Sequence, residues 1–564
     1  MTPKIAAFSS AALFAVTATA LAQSPTKPRA LGADAAAACA ALGKITIPPT
    51  EFDIPSGAAS IDSATLVAAS PLAIAEKGPT PAARVTPATP QHCRLIGRIA
   101  PLTANAPPIR FQINLPLAWN ARSVQYGGGG FNGTLITATG LPPASRLDKP
   151  SPLAQGYVTY GTDSGHETKQ GEPPAAFALN DEAFLNFAHA AYKKVRDVAV
   201  ATMKRAYKSA PENLYFMGSS EGGREGLTMA QRYPDDFDGI FARVPVINWT
   251  ALNHASARSG VITMGDAWLS PAHVKLVHDA VLAKCDATDG SPDKLIANPT
   301  ACLKVADLAV LACKPSAAPD SCLNPKQLEA IKLFRSPYRF SFTLQNGMRE
   351  YPGWGVSGEA TPAFGPTGGW GAWWTGNNAP TEPPKPGQGI QWVYGNAGMK
   401  YVFARDPNLD VTKYSPDNHK KRVLEVSALM DSTNPDLSKF RARGGKLIVL
   451  EHMADYAQSP YAGINYFNAV NAKMGAASVN TFARLYTAPG VDHVGSGAPA
   501  NVDMLDVLAN WVENGAAPGT LEVVEQKLET GLPVARALPL CQWPLWPKYK
   551  SGDATKASSF ECSK

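Results

Sequence analysis

The sequence predicts an α/β fold whose core is divided by a large inserted segment. Three observations carry this. A Gly-x-Ser-x-Gly turn lies between an apolar strand and a helix; an acid and a histidine follow two later predicted strands; and the composition changes abruptly in between. With 564 residues, 45% hydrophobic and 17% charged, the chain is long enough for more than one domain and has a globular balance. The net charge of +6 is mild, and Lys420-Lys421-Arg422 is the only short basic run, which argues against a nucleic-acid partner.

In chain order, residues 1–22 read as a signal peptide. Lys4 supplies the positive start, Ile5 to Ala18 is a short apolar run, and Ala20-Leu21-Ala22 is an Ala-x-Ala cleavage signal, so the mature chain is expected to start at Gln23. The run is too short to serve as a membrane anchor. A secreted or periplasmic protein is therefore expected, with no membrane partner. Residues 23 to about 90 are Ala/Pro-rich and read as mostly loop with a little sheet. Phe111 to Leu115 alternates apolar and polar, as a half-buried strand does, and Tyr157 to Asp163 reads as another strand. Ser123-Val124-Gln125 is strand-like and leads into four glycines, Gly127 to Gly130. Leu185, Ala188, Tyr192, Val195 and Ala199 recur at helical spacing.

Tyr215 to Gly223 then reads as a short apolar strand, a tight turn with Ser220 at its head, and a helix from about Glu221 to Gln231. That is the nucleophile elbow of an α/β-hydrolase. Gly218, Gly222 and Gly223 allow the tight turn, and the helix N-terminus favours developing negative charge. The core is expected over 23–250 and again over 426–564, with an inserted lid domain at 251–425 holding four cysteines, a cluster of tryptophans and Gly/Pro-rich stretches. Trp354, Trp370, Trp373, Trp374 and Trp392 are expected to serve mainly as the lid's own core.

A nucleophilic serine needs a base, and the base an orienting acid, in the chain order Ser, acid, His. Lys446 to Leu450 is a buried-strand pattern followed by Glu451-His452-Met453-Ala454-Asp455. Phe482 to Tyr486 is a second strand leading into the loop Pro489 to Gly495, which carries His493. The reading is Ser220 as nucleophile, His493 as base then acid, and Asp455 as orienter. Asp492 is expected to cap its loop and His452 to be structural. The oxyanion donors are expected to be the N–H groups of Glu221 and of Gly130 in the glycine run. A non-catalytic binding protein on a hydrolase scaffold is the alternative from another class; such proteins usually lack a triad member, and here all three are present.

Eight cysteines in an exported chain suggest disulfides, most naturally in sequential pairs: Cys39–Cys93, Cys285–Cys302, Cys313–Cys322 and Cys541–Cys562. Asp286-Ala287-Thr288-Asp289-Gly290-Ser291-Pro292-Asp293-Lys294-Leu295 reads equally as a calcium loop or a solvated acidic turn. In the first case the carboxylates of Asp286, Asp289 and Asp293 and the carbonyls of Ser291 and Leu295 would form the oxygen shell.

Several motifs together resemble the tannase and feruloyl esterase family over nearly the whole mature chain. They are Gly218 to Gly226, Gln231 to Ile240, Cys285 to Asp293, Pro489 to His493, and the tail from Pro539-Leu540-Cys541 through Tyr549 to Asp553. The resemblance implies an α/β-hydrolase core with a lid domain. It also implies a structural calcium on Asp286, Asp289, Ser291, Asp293 and Leu295, the triad Ser220–Asp455–His493, and oxyanion donors at Gly130 and Glu221. The implied activity is carboxylic-ester hydrolysis of aromatic-acid esters, feruloyl (hydroxycinnamoyl) or galloyl, by an acyl-enzyme route with no organic cofactor. Two departures stand out. Family members typically join a cysteine before the nucleophile to one after the histidine, where this chain has Ser219 and Val494. Members that cleave terephthalate monoesters hold the free carboxylate with a lid arginine; alignment by eye puts Met399 there, with Lys400 adjacent, which weakens that alternative.

Overall fold

The structure is a computed structural model and describes residues 28–71, 73–76, 84–361 and 368–564. The expected leader, residues 1–22, and the expected mature start at Gln23 lie outside the described residues. The dominant element is a twelve-stranded sheet. Its strands in chain order are β1 (Thr46–Ile47), β2 (Ala59–Val67), β3 (His92–Ile99), β4 (Ile109–Pro116), β5 (Arg122–Tyr126), β6 (Val158–Thr162), β7 (Asn213–Ser219), β8 (Gly239–Arg243), β9 (Lys446–His452), β10 (Ala483–Ala488), β11 (Leu521–Gln526) and β12 (Val534–Gln542). The spatial order is β11-β12-β10-β9-β8-β7-β5-β6-β4-β3-β2-β1.

Strands β6, β5, β7, β8, β9 and β10 pair in parallel, and the flanking strands pair antiparallel. A parallel strand needs a crossover, and helices supply it: α1 (Ala191–Tyr207) precedes β7 and α2 (Glu221–Arg232) joins β7 to β8. Helices α3 (Pro460–Met474) and α4 (Met504–Asn514) follow β9 and β10. Covered on both faces, the central strands read as near-continuous apolar runs, such as Leu447 to Leu450.

Two expectations need correction. Phe111 to Leu115 is buried on both faces rather than half-buried. Its polar residues turn inward: Asn114 Nδ2 donates to the Thr137 carbonyl at 2.8 Å and to Thr159 Oγ1 at 3.0 Å, and Gln112 Nε2 donates to Asn114 Oδ1 at 2.9 Å. Alternation reports chemistry, and here hydrogen-bonded polar groups are part of the interior. The segment before residue 90 is also more regular than its Ala/Pro content implies. Helix Ala35–Leu42 packs there, capped by the Asp34 side chain, and β2 pairs with β3 along its length. The Cys39–Cys93 disulfide fastens that helix to β3. All four disulfides join the sequential pairs expected, including Cys285–Cys302, Cys313–Cys322 and Cys541–Cys562.

The described residues of 251–425 contribute no strand to the large sheet. Their apolar side chains gather in one cluster around Phe334, which stacks between Trp354 and Trp374 at centroid distances of 4.6 and 3.8 Å. Trp354, Trp370, Trp374 and Trp392 are fully buried in this cluster, as expected; the segment is richer in helix than its Gly/Pro content implies, with Pro271–Cys285, Pro325–Arg335 and Lys420–Met430 among its helices. Among the described residues no helix is long and apolar enough to cross a membrane.

Candidate active site

Strand β7 ends at Ser219 and α2 begins at Glu221, so Ser220 alone makes the turn. Its backbone is strained, at φ 61° and ψ −121°. The surroundings hold it there: its N–H donates to the Arg243 carbonyl at 2.9 Å, and its own carbonyl accepts from Gly223, Arg224 and Val246 at 3.0, 3.1 and 3.2 Å. A β-carbon on Gly218 would fall 2.0 Å from the Gly222 carbonyl, so glycine is required at that approach.

The three expected residues meet. His493 Nε2 is 2.9 Å from Ser220 Oγ, and His493 Nδ1 is 2.7 Å from Asp455 Oδ2. Asp455 is held in place by the N–H groups of Ala457 and Gln458, which donate to Oδ1 at 2.7 and 3.0 Å, and by Gln458 Nε2 at 3.3 Å from Oδ2. A carboxylate on Nδ1 places the imidazole proton there and leaves Nε2 to accept from the serine hydroxyl. The competing groups make other contacts. Asp492 Oδ1 accepts from the N–H groups of Val494, Gly495 and Ser496, which caps the histidine loop. His452 Nδ1 donates to the Asp492 carbonyl at 2.6 Å, and burial, Arg243 and His493 hold its pKa well below the ordinary histidine value.

The glycine run singles out one donor. The N–H of Gly127 donates to the Met217 carbonyl at 3.0 Å, that of Gly128 to Glu225 Oε2 at 2.9 Å, and that of Gly129 to Asn132 Oδ1 at 2.6 Å. Among the described residues the N–H of Gly130 has no such acceptor, nor has that of Glu221 at the start of α2; both residues line the same cavity as Ser220. Gly130 has φ 60°, a left-handed conformation that suits glycine. The Glu221 side chain turns away to Arg224, whose Nε donates to Oε1 at 2.7 Å. Burial pushes the Glu221 carboxyl up to about 7 against the pull of Arg224. Glu225 and Asn132 were not singled out from the sequence. Glu225 stands within the quoted Gly218 to Gly226 motif, but its reach across to the glycine loop is visible only in three dimensions.

Ser220 and His493 open onto a cavity of about 270 Å³ with walls from Phe131, Val246, Trp249, Leu252, Trp373 and Tyr394. Of the five lid tryptophans, Trp373 lies on this cavity, 6.0 Å from the His493 ring centroid. Gln391 also lines it. This residue is 1% exposed, and among the described residues neither its amide nitrogen nor its oxygen has a partner. Met399 is fully buried and Lys400 pairs with Glu382 at 2.7 Å, so neither supplies a free charge to the cavity.

In the acidic loop, Asp289 accepts the N–H groups of Ser291 and Ala297 at 3.1 and 2.8 Å. Asp293 accepts that of Leu295 at 3.1 Å and pairs with Arg536, while Asp286 Oδ1 is buried without a partner among the described residues. Burial, with the neighbouring carboxylates adding to it, raises the pKa of Asp289 and Asp293. The loop abuts the histidine loop: a β-carbon on Gly490 would lie 2.0 Å from Leu295 Cδ1. A second convergence of carboxylates, Asp53, Asp197 and Asp236, surrounds the Lys193 ammonium, which lies 2.9 Å from both Asp197 and Asp236, so this cluster already holds its cation.

The family model described as tannase and feruloyl esterase matches residues 93–563. An uncharacterized esterase of Agrobacterium fabrum is 34% identical over 545 residues, covering 94% of each chain. Mono(2-hydroxyethyl) terephthalate hydrolase of Piscinibacter sakaiensis is 32% identical, covering 86% of each chain. Feruloyl esterase B from Aspergillus oryzae shares the fold, with a TM-score of 0.73 at 21% identity over 91% of this chain and 98% of its own. The chain therefore belongs to the tannase and feruloyl esterase family and is a carboxylic ester hydrolase with an α/β-hydrolase core.

Proposed function

We propose that this esterase is exported and cleaves esters of aromatic acids, feruloyl (hydroxycinnamoyl) or galloyl, through an acyl-enzyme on Ser220. The observation that carries the reading is the unbroken hydrogen-bonded line Asp455–His493–Ser220 at the mouth of an aromatic-walled cavity. His493 Nε2 takes the serine proton as Oγ attacks the ester carbonyl. The N–H groups of Gly130 and Glu221 receive the oxyanion, aided by the N-terminus of α2. His493 then returns the proton to the departing alcohol oxygen. Water, deprotonated by the same histidine, releases the free acid and restores Ser220.

The walls favour a flat ring, and Gln391 favours a ring with a polar substituent. A buried amide with both atoms unpartnered costs about 1–3 kcal/mol per group, which a ring hydroxyl or methoxy oxygen would recover. One relative is named for a terephthalate monoester, but the pairing of Lys400 with Glu382 speaks against a free lid cation for that carboxylate. Export is supported by the leader-like residues 1–22 and by four disulfides.

The acidic loop fits calcium by its donor chemistry: three carboxylates, the Ser291 and Leu295 carbonyls, and one buried carboxylate oxygen without a partner. Asp286, Asp289, Ser291, Asp293 and Leu295 would hold it. Its contribution there is structural, neutralising the loop that supports the histidine loop.

Hydrolysis of methyl ferulate, methyl p-coumarate, methyl gallate, methyl cinnamate, mono(2-hydroxyethyl) terephthalate and p-nitrophenyl acetate tests the reading. A preference of about tenfold or more in kcat/KM for a hydroxylated ring over cinnamate is expected. Equal rates on cinnamate and its hydroxylated analogues, or a preference for the terephthalate ester, would overturn it.

A further inference from the structure

Ser220 and His493 face a second cavity, of about 970 Å³, lined by a largely different set of residues. The two cavities share only Gly129, Ser220, His493 and Val494 among their lining residues. An ester bond held at Ser220 thus lies at their junction, with acid and alcohol in different chambers. The aromatic chamber suits the acid, which leaves the larger one for the alcohol.

The larger chamber carries a half-buried cation at the reaction centre. Arg243, the last residue of β8, lines it beside Ser219 and Ser496. Its Nε donates to Ser219 Oγ at 2.9 Å, and a β-carbon on Gly495 would lie 3.3 Å from Nη1. Among the described residues Arg243 forms no ion pair. Burial lowers its pKa to about 10, so it stays charged at neutral pH, with Asp492 and Asp455 opposing the shift from a distance. Those carboxylates serve other partners, Asp492 the N–H groups of its loop and Asp455 His493. A guanidinium in this state has two terminal nitrogens in a planar fork suited to a carboxylate.

We propose that Arg243 binds a carboxylate carried by the alcohol part of the substrate, so that the preferred esters join an aromatic acid to a hydroxy acid. This rests on the reading of Ser220 and His493 given above. The reaction is unchanged in its balance: the acyl–oxygen bond breaks, His493 protonates the departing alkoxide, and the product is the free hydroxy acid with its carboxylate still on Arg243.

The test compares two p-coumarate esters of nearly equal shape, one of glycolic acid and one of glycolamide. The ratio of their kcat/KM values is expected to favour the glycolate ester about tenfold in the native enzyme and to fall towards one in Arg243→Gln. Ser219→Ala removes the Nε acceptor but keeps the charge, and is expected to retain the preference. If Ser219→Ala abolishes it equally, Arg243 is a tie between loops and the proposal fails. No preference in the native enzyme, or one that survives Arg243→Gln, also overturns it. Monomethyl terephthalate places the carboxylate on the acid instead; if Arg243→Gln impairs that ester and not the glycolate one, the assignment to the alcohol is wrong. Calorimetric binding of the glycolate ester to Ser220→Ala, with and without Arg243→Gln, reads the same contact without turnover. Weaker binding in the double variant supports Arg243 even if Ser220 proves not to be the nucleophile, and equal binding refutes it.

Discussion

The reaction centre and the acidic loop lie against each other, yet they answer their charges differently. At the centre the two carboxylates that set the catalytic geometry find partners within the chain: Asp455 has two backbone N–H groups and His493, and Glu225 has Gly128 and Asn132. In the loop, among the described residues, Asp286 keeps a buried oxygen without a partner, and of the three carboxylates Asp293 alone has an ion pair, with Arg536. The first is organised before any ligand arrives, as transition-state stabilisation requires. The second is a charge excess that fits a hard cation. The aromatic cavity stands between them in character, with largely aromatic and aliphatic walls and, among the described residues, one amide unpartnered at both its atoms, Gln391.

The most forceful way to break this contrast is at the centre. Ser220→Ala is expected to lower kcat/KM by about 10⁴-fold or more and to abolish fluorophosphonate labelling, with circular dichroism unchanged; Asp455→Asn should cost about 10⁴-fold through the wrong histidine tautomer. Full activity in either would remove the triad. Glu225→Gln keeps the size but sets an amide N–H against either the Gly128 N–H or the Asn132 amide. A loss of about 10–100-fold, mainly in kcat, is expected because Gly130 is displaced. A pure KM effect would mean that Glu225 serves binding instead. Gln391→Leu should leave methyl cinnamate turnover within a fewfold and reduce that of methyl p-coumarate by about tenfold; equal losses on both esters would show that the amide does not read the ring.

In the loop the expected effects are on stability. Chelation with EGTA should lower the melting temperature by roughly a few degrees, with calcium restoring it. Since Leu295 packs on Gly490, kcat should fall in parallel. An unchanged melting curve with no bound metal in elemental analysis would remove the calcium. A smaller test uses Asp163, which follows β6 and whose Oδ2 is buried without a partner; burial pushes its carboxyl from 3.8 up to about 7. The native state thus binds this proton more tightly than the unfolded chain, so its contribution to stability falls as pH rises from about 4 to about 7. Asp163→Asn should flatten the melting temperature between pH 5 and 8, and an unaltered profile would mean the carboxyl is ionised throughout.

Legibility in the sequence followed locality. The elbow could be read because the strand, the serine turn and the helix are contiguous from Tyr215 to Gln231, and tight turns restrict residue choice to glycine at Gly218. Asp455 and His493 could be read because each follows a strand with a buried apolar pattern. The disulfides join cysteines that are neighbours in sequence order, over separations from 9 to 54 residues, so order alone pairs them. What escaped was non-local. Phe111 to Leu115 shows an alternating pattern, but whether Asn114 faces water or Thr159 depends on a neighbour 45 residues away. Strand β2 has weak apolar content and is held by pairing with β3.

The sequence by itself determined the α/β core, the order Ser220, Asp455, His493 and the membership of Gly130 and Glu221 in the glycine loop and the elbow, because backbone sterics and hydrophobic period act over a few residues. Only the tertiary structure decided that Trp373 of the five lid tryptophans meets the cavity and that, among the described residues, Gln391 lacks a hydrogen-bond partner and Arg243 an ion pair beside Ser220. Those outcomes depend on which surfaces approach one another, and burial, not residue identity, turns an ordinary amide or guanidinium into a group that calls for a ligand.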